Sequence, residues 1–346
     1  MAQNDMAFVV GIERYPTFGG NASNAARDLK GPVNDVHAFV DWLKASDGGD
    51  IPPGNIFTVT SSDFPTGNRV GPILQDLINK LETLKTAAKA PPRKRRLYIY
   101  TSGHGFGRRR LEGGLYLADA APNNLSNLFV TEYFHWFLNA AHFDECILFS
   151  DACMDQGRLA SPTQPHWRRE IAAGRNTRAF GAYAARFAGR AVEGLMPNGQ
   201  VHGAFSYALR MGLSGAAAIV DQHGHRTVTS DSLRDYLIAT MQKLMTEAER
   251  QDTRISTDPD FGPFETVTLV ENAPAFVRDI TILLPNAQAN TTLTLLDAAL
   301  APVRQAVAAN GSATLHLSPG LYTLTDVNGW EGPFEFTGVE KEIDLR

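Results

Sequence analysis

The sequence is poor in cysteine, with only Cys146 and Cys153 in 346 residues. Two thiols cannot form a disulfide framework, and so few fit a reducing compartment. Apolar runs long enough to span a bilayer are missing. No charged segment leads into the first short apolar run, residues 6–12, so no signal peptide is read and a cytoplasmic location is expected. A large charge of either sign is also lacking: a formal net charge of −5 gives no ground for nucleic-acid or membrane binding. There are no tandem repeats and no low-complexity stretch. What remains is the composition of a soluble globular chain, 43% hydrophobic and 20% charged. Its length suits one large domain with a small one attached, or two of moderate size.

Strands and helices alternate through most of the chain. Residues 6–12 are continuously apolar and read as a first buried strand. A polar, Gly-rich loop follows, and then a helix from Pro32 with Val33, Val36, Val40 and Leu43 at helical spacing. A second strand is expected at 55–60 and a second helix through Ile73, Leu77, Leu81 and Leu84. Leu97-Tyr98-Ile99-Tyr100 is a third strand. Residues 114–119 suggest a short β piece. Thr131 is expected to cap a helix through Phe134, Phe137 and Ala141. Ile147-Leu148-Phe149 is another buried strand, and the rhythm resumes at 179–185, 203–213 and 230–245. This pattern predicts an α/β fold whose mostly parallel sheet is covered by helices on both faces. After Asp252 the texture changes to short β runs separated by Asn, Gly and Pro. A small C-terminal all-β, sandwich-like domain is expected at 273–346, after a main domain at 1–272.

Two of the buried strands end in reactive residues. One runs into Asp151-Ala152-Cys153, the other into Gly103-His104-Gly105, forty-nine residues upstream. Chemistry in α/β sheets collects at the carboxyl ends of strands. A thiol attacks a carbonyl as thiolate, so it needs a base or an imidazolium to lower its pKa. His104 serves if the two strand ends are neighbours. Gly103 and Gly105 allow a sharp turn and close substrate approach. The amides of Gly105 and Cys153 are candidates for an oxyanion hole.

These residues carry a resemblance. Tyr100-Thr-Ser-Gly-His-Gly105 followed by Asp151-Ala-Cys153 is similar to the caspase and metacaspase clan of cysteine peptidases. Val9-Val10-Gly11-Ile12 with Leu29-Lys-Gly-Pro-Val-Asn-Asp35, and Gly203-Ala-Phe-Ser-Tyr-Ala-Leu209, resemble further elements of it. The likeness covers about residues 6 to 250. It implies a caspase-like fold, Cys153 as nucleophile and His104 as general acid/base. It is nearer to metacaspases and bacterial caspase-like proteins than to animal caspases, because Asp151 and Asp35 stand where metacaspases place acidic pocket residues. Two pocket carboxylates would select Arg or Lys by charge-assisted hydrogen bonds. The implied partners are protein or peptide substrates bearing basic residues, and the implied setting is a zymogen in a bacterial defence or cell-death pathway. Met154-Asp155-Gln156-Gly157 departs from the Ser-Gly that many metacaspases carry after the cysteine. A catalytically inactive, scaffold-like relative is the competing reading, as is a protease of different specificity.

The long polar loop 154–178 carries Arg158, Arg168, Arg169, Arg175 and Arg178. It reads either as a solvated charged surface or as a processing segment cut by the protein itself or by an upstream activating protease. Arg93-Lys-Arg-Arg96 and Arg108-Arg-Arg110 are basic but lack aromatic interleaving, so no nucleic-acid role is assigned. No cofactor or metal site is predicted. Calcium activation, common in metacaspases, is left open because no EF-hand spacing occurs. Cys146 reads as a small buried hydrophobe. A monomer is the default expectation.

Overall fold

The computed structural model describes residues 2, 4–18, 27–67, 69–155, 161–168, 170–171, 176–263 and 265–346. The chain forms β1 (Met6–Gly11), α1 (Pro32–Lys44), β2 (Ile56–Thr60), α2 (Leu74–Lys89) and β3 (Lys94–Gly103). It continues through β4 (Gly105–Arg109), β5 (Glu112–Tyr116), β6 (Asn127–Leu128), α3 (Val130–Ala140), β7 (Phe143–Ala152) and β8 (Arg178–Tyr183). The hairpin β9 (Glu193–Leu195) and β10 (Val201–Gly203) precedes α4 (Ala204–Met211) and α5 (Ser230–Met241).

A six-stranded sheet runs in the order Asp260–Phe261, β8, β7, β3, β1, β2, and only the outermost Asp260–Phe261 pairing is antiparallel. Both faces are covered, which is why its strands read as continuous apolar runs. The pleat sends alternate residues to opposite sides. Phe8, Leu97, Ile99, Cys146 and Leu148 pack with Leu77, Leu81, Phe134 and Phe137 of α2 and α3. Val9, Tyr98, Tyr100, Ile147 and Phe149 pack with Val36, Phe39, Phe205, Leu209 and Leu237 of α1, α4 and α5. The expected mostly parallel α/β sheet, covered on both faces, is therefore the observed fold, and Cys146 lies fully buried within it.

One expected cap is corrected. Phe129 occupies the N-cap of α3, with no side-chain capping bond. Thr131 lies inside the first turn, and its hydroxyl binds Gly113, accepting from the amide at 2.9 Å and donating to the carbonyl at 3.1 Å. The hydroxyl is drawn to the backbone of β5, so it ties helix to hairpin instead of closing the helix end.

Buried charge fixes the opposite end of the sheet from the site. Arg96 on β3 pairs with Glu145 on β7 and also donates to the Tyr98 hydroxyl and to the carbonyls of Thr268 and Leu269. Arg178 approaches the other oxygen of Glu145.

Residues 278–344 form two further sheets, one of three strands and one of four, around their own core of Ile280, Ile282, Leu293, Leu295, Leu315 and Phe336. This unit is attached through α4, α5 and the short turn that follows α5. Arg278 donates to the Tyr207 hydroxyl (3.1 Å), Tyr236 donates to the Thr337 carbonyl (3.0 Å), and Lys243 pairs with Glu335 and Glu340. These helices lie on a face of the central sheet rather than at its edge.

Candidate active site

The register of β3 against β7 builds the site. Leu97 lies opposite Cys146, Ser102 opposite Asp151 and Gly103 opposite Ala152, a constant offset. The next residue on each strand is His104 and Cys153, so the spacing read in the sequence is the sheet register itself. Two clefts meet at this pair. An outer one of about 330 Å³ is lined by His104, Gly105, Tyr116, Cys153, Asp155 and Arg190. A narrow inner one of about 110 Å³ runs from His104 and Cys153 to Asp35, Asp151, Glu193 and Gly203.

The backbone around His104 is held tightly. Gly103 adopts φ +153°, and a Cβ there would come 2.6 Å from the Tyr15 hydroxyl. A Cβ on Gly105 would lie 2.6 Å from the Cβ of Ala152 and 2.8 Å from the Cys153 carbonyl oxygen. Both positions therefore require glycine, as the sequence suggested. The His104 amide donates to the buried Tyr15 hydroxyl (2.9 Å), and the ring stacks on Phe18 with centroids 5.4 Å apart. Its Nε2 lies 2.7 Å from the Arg27 carbonyl oxygen. A carbonyl can only accept, so Nε2 carries the proton and Nδ1 keeps its lone pair. The ring is thus set as a base, with its tautomer fixed by the main chain.

Both members of the pair are uncharged at rest. Burial lowers the His104 pKa below its ordinary value, against the Arg27 hydrogen bond that raises it. Burial pushes the Cys153 thiol up to about 11. The expectation of a thiol lowered by its surroundings is corrected here: desolvation of a thiolate outweighs the polar contacts available to it. Cys153 Sγ has the Ala191 carbonyl at 3.9 Å. Gly105 and Cys153, whose amides are the oxyanion-hole candidates, both border the outer cleft.

The inner cleft is acidic. Asp35, on α1, accepts from Ser102 Oγ (3.0 Å), from His202 Nδ1 (2.8 Å) and from the Gly203 amide (3.3 Å). Asp151, at the end of β7, accepts both the amide (3.0 Å) and the hydroxyl (2.6 Å) of Ser206 on one oxygen, Oδ2. Its Oδ1 accepts no hydrogen bond among the described residues. Gly203 packs so closely over this carboxylate that any side chain there would run into it. Burial, then repulsion from Asp35, pushes Asp151 up to about 7, and burial raises Asp35 well above its ordinary value. Sequence reasoning missed the third carboxylate. Glu193 opens β9 and accepts from the amides of Gly31 (2.9 Å) and Lys30 (3.1 Å). No Lys or Arg lines this cleft among the described residues.

His202 was also missed. It is buried behind Asp35, and the Asn198 side-chain amide meets its Nε2 at 3.1 Å. With Nε2 accepting, Nδ1 holds the proton donated to Asp35. Burial, with help from Arg210, drives its pKa down to about 4, so the ring is neutral.

The arginine-rich loop is partly docked. Arg158, Arg169 and Arg175 lie outside the described residues. Arg168 is exposed, but its carbonyl accepts from Trp136 Nε1 (3.4 Å), and neighbouring Trp167 packs edge-on against Tyr133, Trp136 and Phe137. Trp167 also donates to Glu82 (2.6 Å). Arg178 opens β8 beside Glu145, so cutting there would require the start of β8 to leave its pairing with β7. In the basic clusters, Arg93, Arg95, Arg96, Arg109 and Arg110 pair with Asp144, Asp5, Glu145, Glu112 and Asp260. Their role here is structural charge pairing. No group of three or more His, Cys, Asp or Glu suited to a metal ion occurs among the described residues, and none of their helices is long and apolar enough to cross a membrane.

No family model matches the chain. A probable protease of a Desulfuromonadales bacterium is 28% identical over 258 residues. That match takes in 67% of this chain, which spans only 28% of that relative's length. Among solved structures, caspase-1 from Spodoptera frugiperda is similar over 78% of this chain and 91% of its own, at 14% identity and a TM-score of 0.46. The Arg-specific cysteine proteinase gingipain R is similar over 99% of this chain and 67% of its own, at 12% identity and a TM-score of 0.33.

Proposed function

We propose that the chain is a cysteine endopeptidase that cleaves after basic residues, arginine above all. The observation that carries this reading is the cleft in which a thiol and an imidazole at adjacent strand ends open onto three carboxylates, with no Lys or Arg lining it among the described residues. A guanidinium entering there would meet Asp151 Oδ1 unoccupied, with Asp35 and Glu193 behind and beside it. Capture of the side chain would place its following peptide bond over Cys153.

Because thiol and imidazole rest neutral, His104 acts as general base during attack rather than as a standing imidazolium. Its Nδ1 takes the thiol proton as sulfur adds to the carbonyl carbon. The amides of Gly105 and Cys153 receive the developing oxyanion. The same nitrogen returns the proton to the leaving amine, and water then hydrolyses the thioester. The Arg27 carbonyl holds the ring throughout and supports the positive charge that develops on it. Loop 154–178 supplies the candidate processing positions of a zymogen, with Trp167 as the anchor that must release if Arg168 is to be cut. A defence or cell-death setting belongs to the same proposal and rests on resemblance alone.

A fluorogenic panel with Arg, Lys or Asp before the scissile bond, run beside Cys153→Ala, tests it. Arg turnover that disappears in the variant is the expected result. Turnover only after Asp would remove the pocket assignment, and no turnover even after limited proteolysis of the loop would favour a scaffold.

A further inference from the structure

A second cavity lies directly behind the acidic cleft. It holds about 510 Å³ and runs between one face of α1, carrying His37 and Asp41, and a wall formed by Asn198, Gln200, His202 and Arg210. Arg210 is partly buried, its guanidinium 5.5 Å above the Tyr207 ring, and it makes no hydrogen bond or ion pair with another described residue. A second cation worsens its position. Among the described residues Arg278 holds only the Tyr207 hydroxyl and the Gly338 carbonyl, with no carboxylate. Burial and then Arg278 oppose the charge on Arg210, whose pKa is lowered. A partly desolvated guanidinium without an anion is unfavourable, and an arriving carboxylate reduces that cost. Asp41 and Asp47 line the same cavity, are exposed, and pair with no cation among the described residues. They oppose a polyanion and favour a ligand that also carries a positive group. The neutral amides of Asn198 and Gln200 suit the peptide groups between the two charges.

We propose that this cavity binds a small zwitterion, an amino acid or short free peptide, with its carboxylate on Arg210 and its ammonium toward Asp41 and Asp47. The site shares His202 with the acidic cleft, because that ring lines the cavity and donates to Asp35. A carboxylate on Arg210 cancels the positive charge that Arg210 sets behind His202, so the negative field of Asp35, against which that ring lies, is less opposed. Occupancy of the cavity therefore assists cation capture in the cleft. This linkage rests on the pocket reading above; binding of the zwitterion does not.

The test is calorimetry on full-length Cys153→Ala protein with triglycine as probe. Triglycine is expected to bind, and triglycine amide, which lacks the carboxylate, to bind at least about tenfold more weakly, since one charge-assisted contact is lost. Arg210→Gln should cause a similar loss, with Arg210→Lys recovering part of it. If Arg210→Gln misfolds, Asp47→Asn, an exposed change, should erase the preference for triglycine over its N-acetyl form. Equal binding of triglycine and its amide, tighter binding of phosphate than of triglycine, or no binding at roughly 10 mM would overturn the site. Benzamidine, a probe for the acidic cleft, should bind severalfold tighter with triglycine present. Independent binding of the two would overturn the linkage alone, whereas no benzamidine binding with triglycine still bound would count against the pocket reading instead.

Discussion

Replacing Asp151 by Asn keeps shape and removes charge, and two opposite consequences follow. The Asn side-chain oxygen can take the place of Oδ2 and accept from Ser206, as the carboxylate does at 3.0 and 2.6 Å. The amide nitrogen then replaces Oδ1 and turns two donors toward an incoming guanidinium. A hydrogen bond to a charged partner contributes about 1.5–3 kcal/mol, so kcat/KM for an Arg substrate should fall about 10- to 100-fold, with the loss mainly in KM. The wild-type pH profile should show the same group. Guanidinium needs the ionised carboxylate, and Asp151 ionises near 7, so 1/KM should rise with pH through about 7 and level off above it. The variant should lack that rise. Stability moves the other way. The proton on Asp151 is held more tightly in the folded chain than in the unfolded one, whose value is near 3.8, so this group's contribution to stability falls as pH rises from about 4 to 7. Asp151→Asn should therefore melt above wild type at pH 8 and converge with it near pH 4. Steady-state kinetics and thermal melts across pH read both effects. An Asn variant that still cleaves after Arg within threefold of wild type would refute the pocket, whatever its melting temperature.

Other predictions bear on the rest of the framework. Gly105→Ala should cut kcat by at least about tenfold without unfolding the chain, because its Cβ would press on Ala152 and the Cys153 carbonyl at 2.6 and 2.8 Å; near-UV circular dichroism beside turnover separates the two effects. Alkylation of Cys153 by iodoacetamide should be slow at pH 7 and climb with pH toward about 11, and a fast rate that is flat from pH 6 would contradict the neutral resting pair. Arg96→Met should destabilise the chain by about 3 kcal/mol, since it leaves Glu145 buried with only Arg178 nearby; urea denaturation measures it, with little expected change in KM.

The sheet was legible because its strands are buried on both faces and therefore stand out as unbroken apolar runs. The pairing of His104 with Cys153 was legible through position: each sits one residue past a strand end, and the register that joins those ends is the spacing between them. Asp151 could be found for the same reason. Glu193 could not, because it belongs to a three-residue strand joined to the site only through the amides of Lys30 and Gly31. Main-chain carbonyls leave no side-chain signature, which hid Arg27 as the orienting group for His104. His202 looked like any lone histidine until the fold set it against Asp35. The ion pairs of the basic clusters were hidden for the converse reason: their partners, Asp5, Asp144, Glu145 and Asp260, are spread along the chain and meet them only after folding.

The central claim is that Cys153 is a nucleophile addressed through a cation-selective pocket. Treating the protein with an arginine-derived acyloxymethyl ketone, then measuring intact mass and mapping the adduct, tests it most directly. The account predicts a single adduct on Cys153, lost in Cys153→Ala and much slower in Asp151→Asn. No adduct, an adduct on Cys146, or preferential labelling by the aspartate-derived ketone would contradict it.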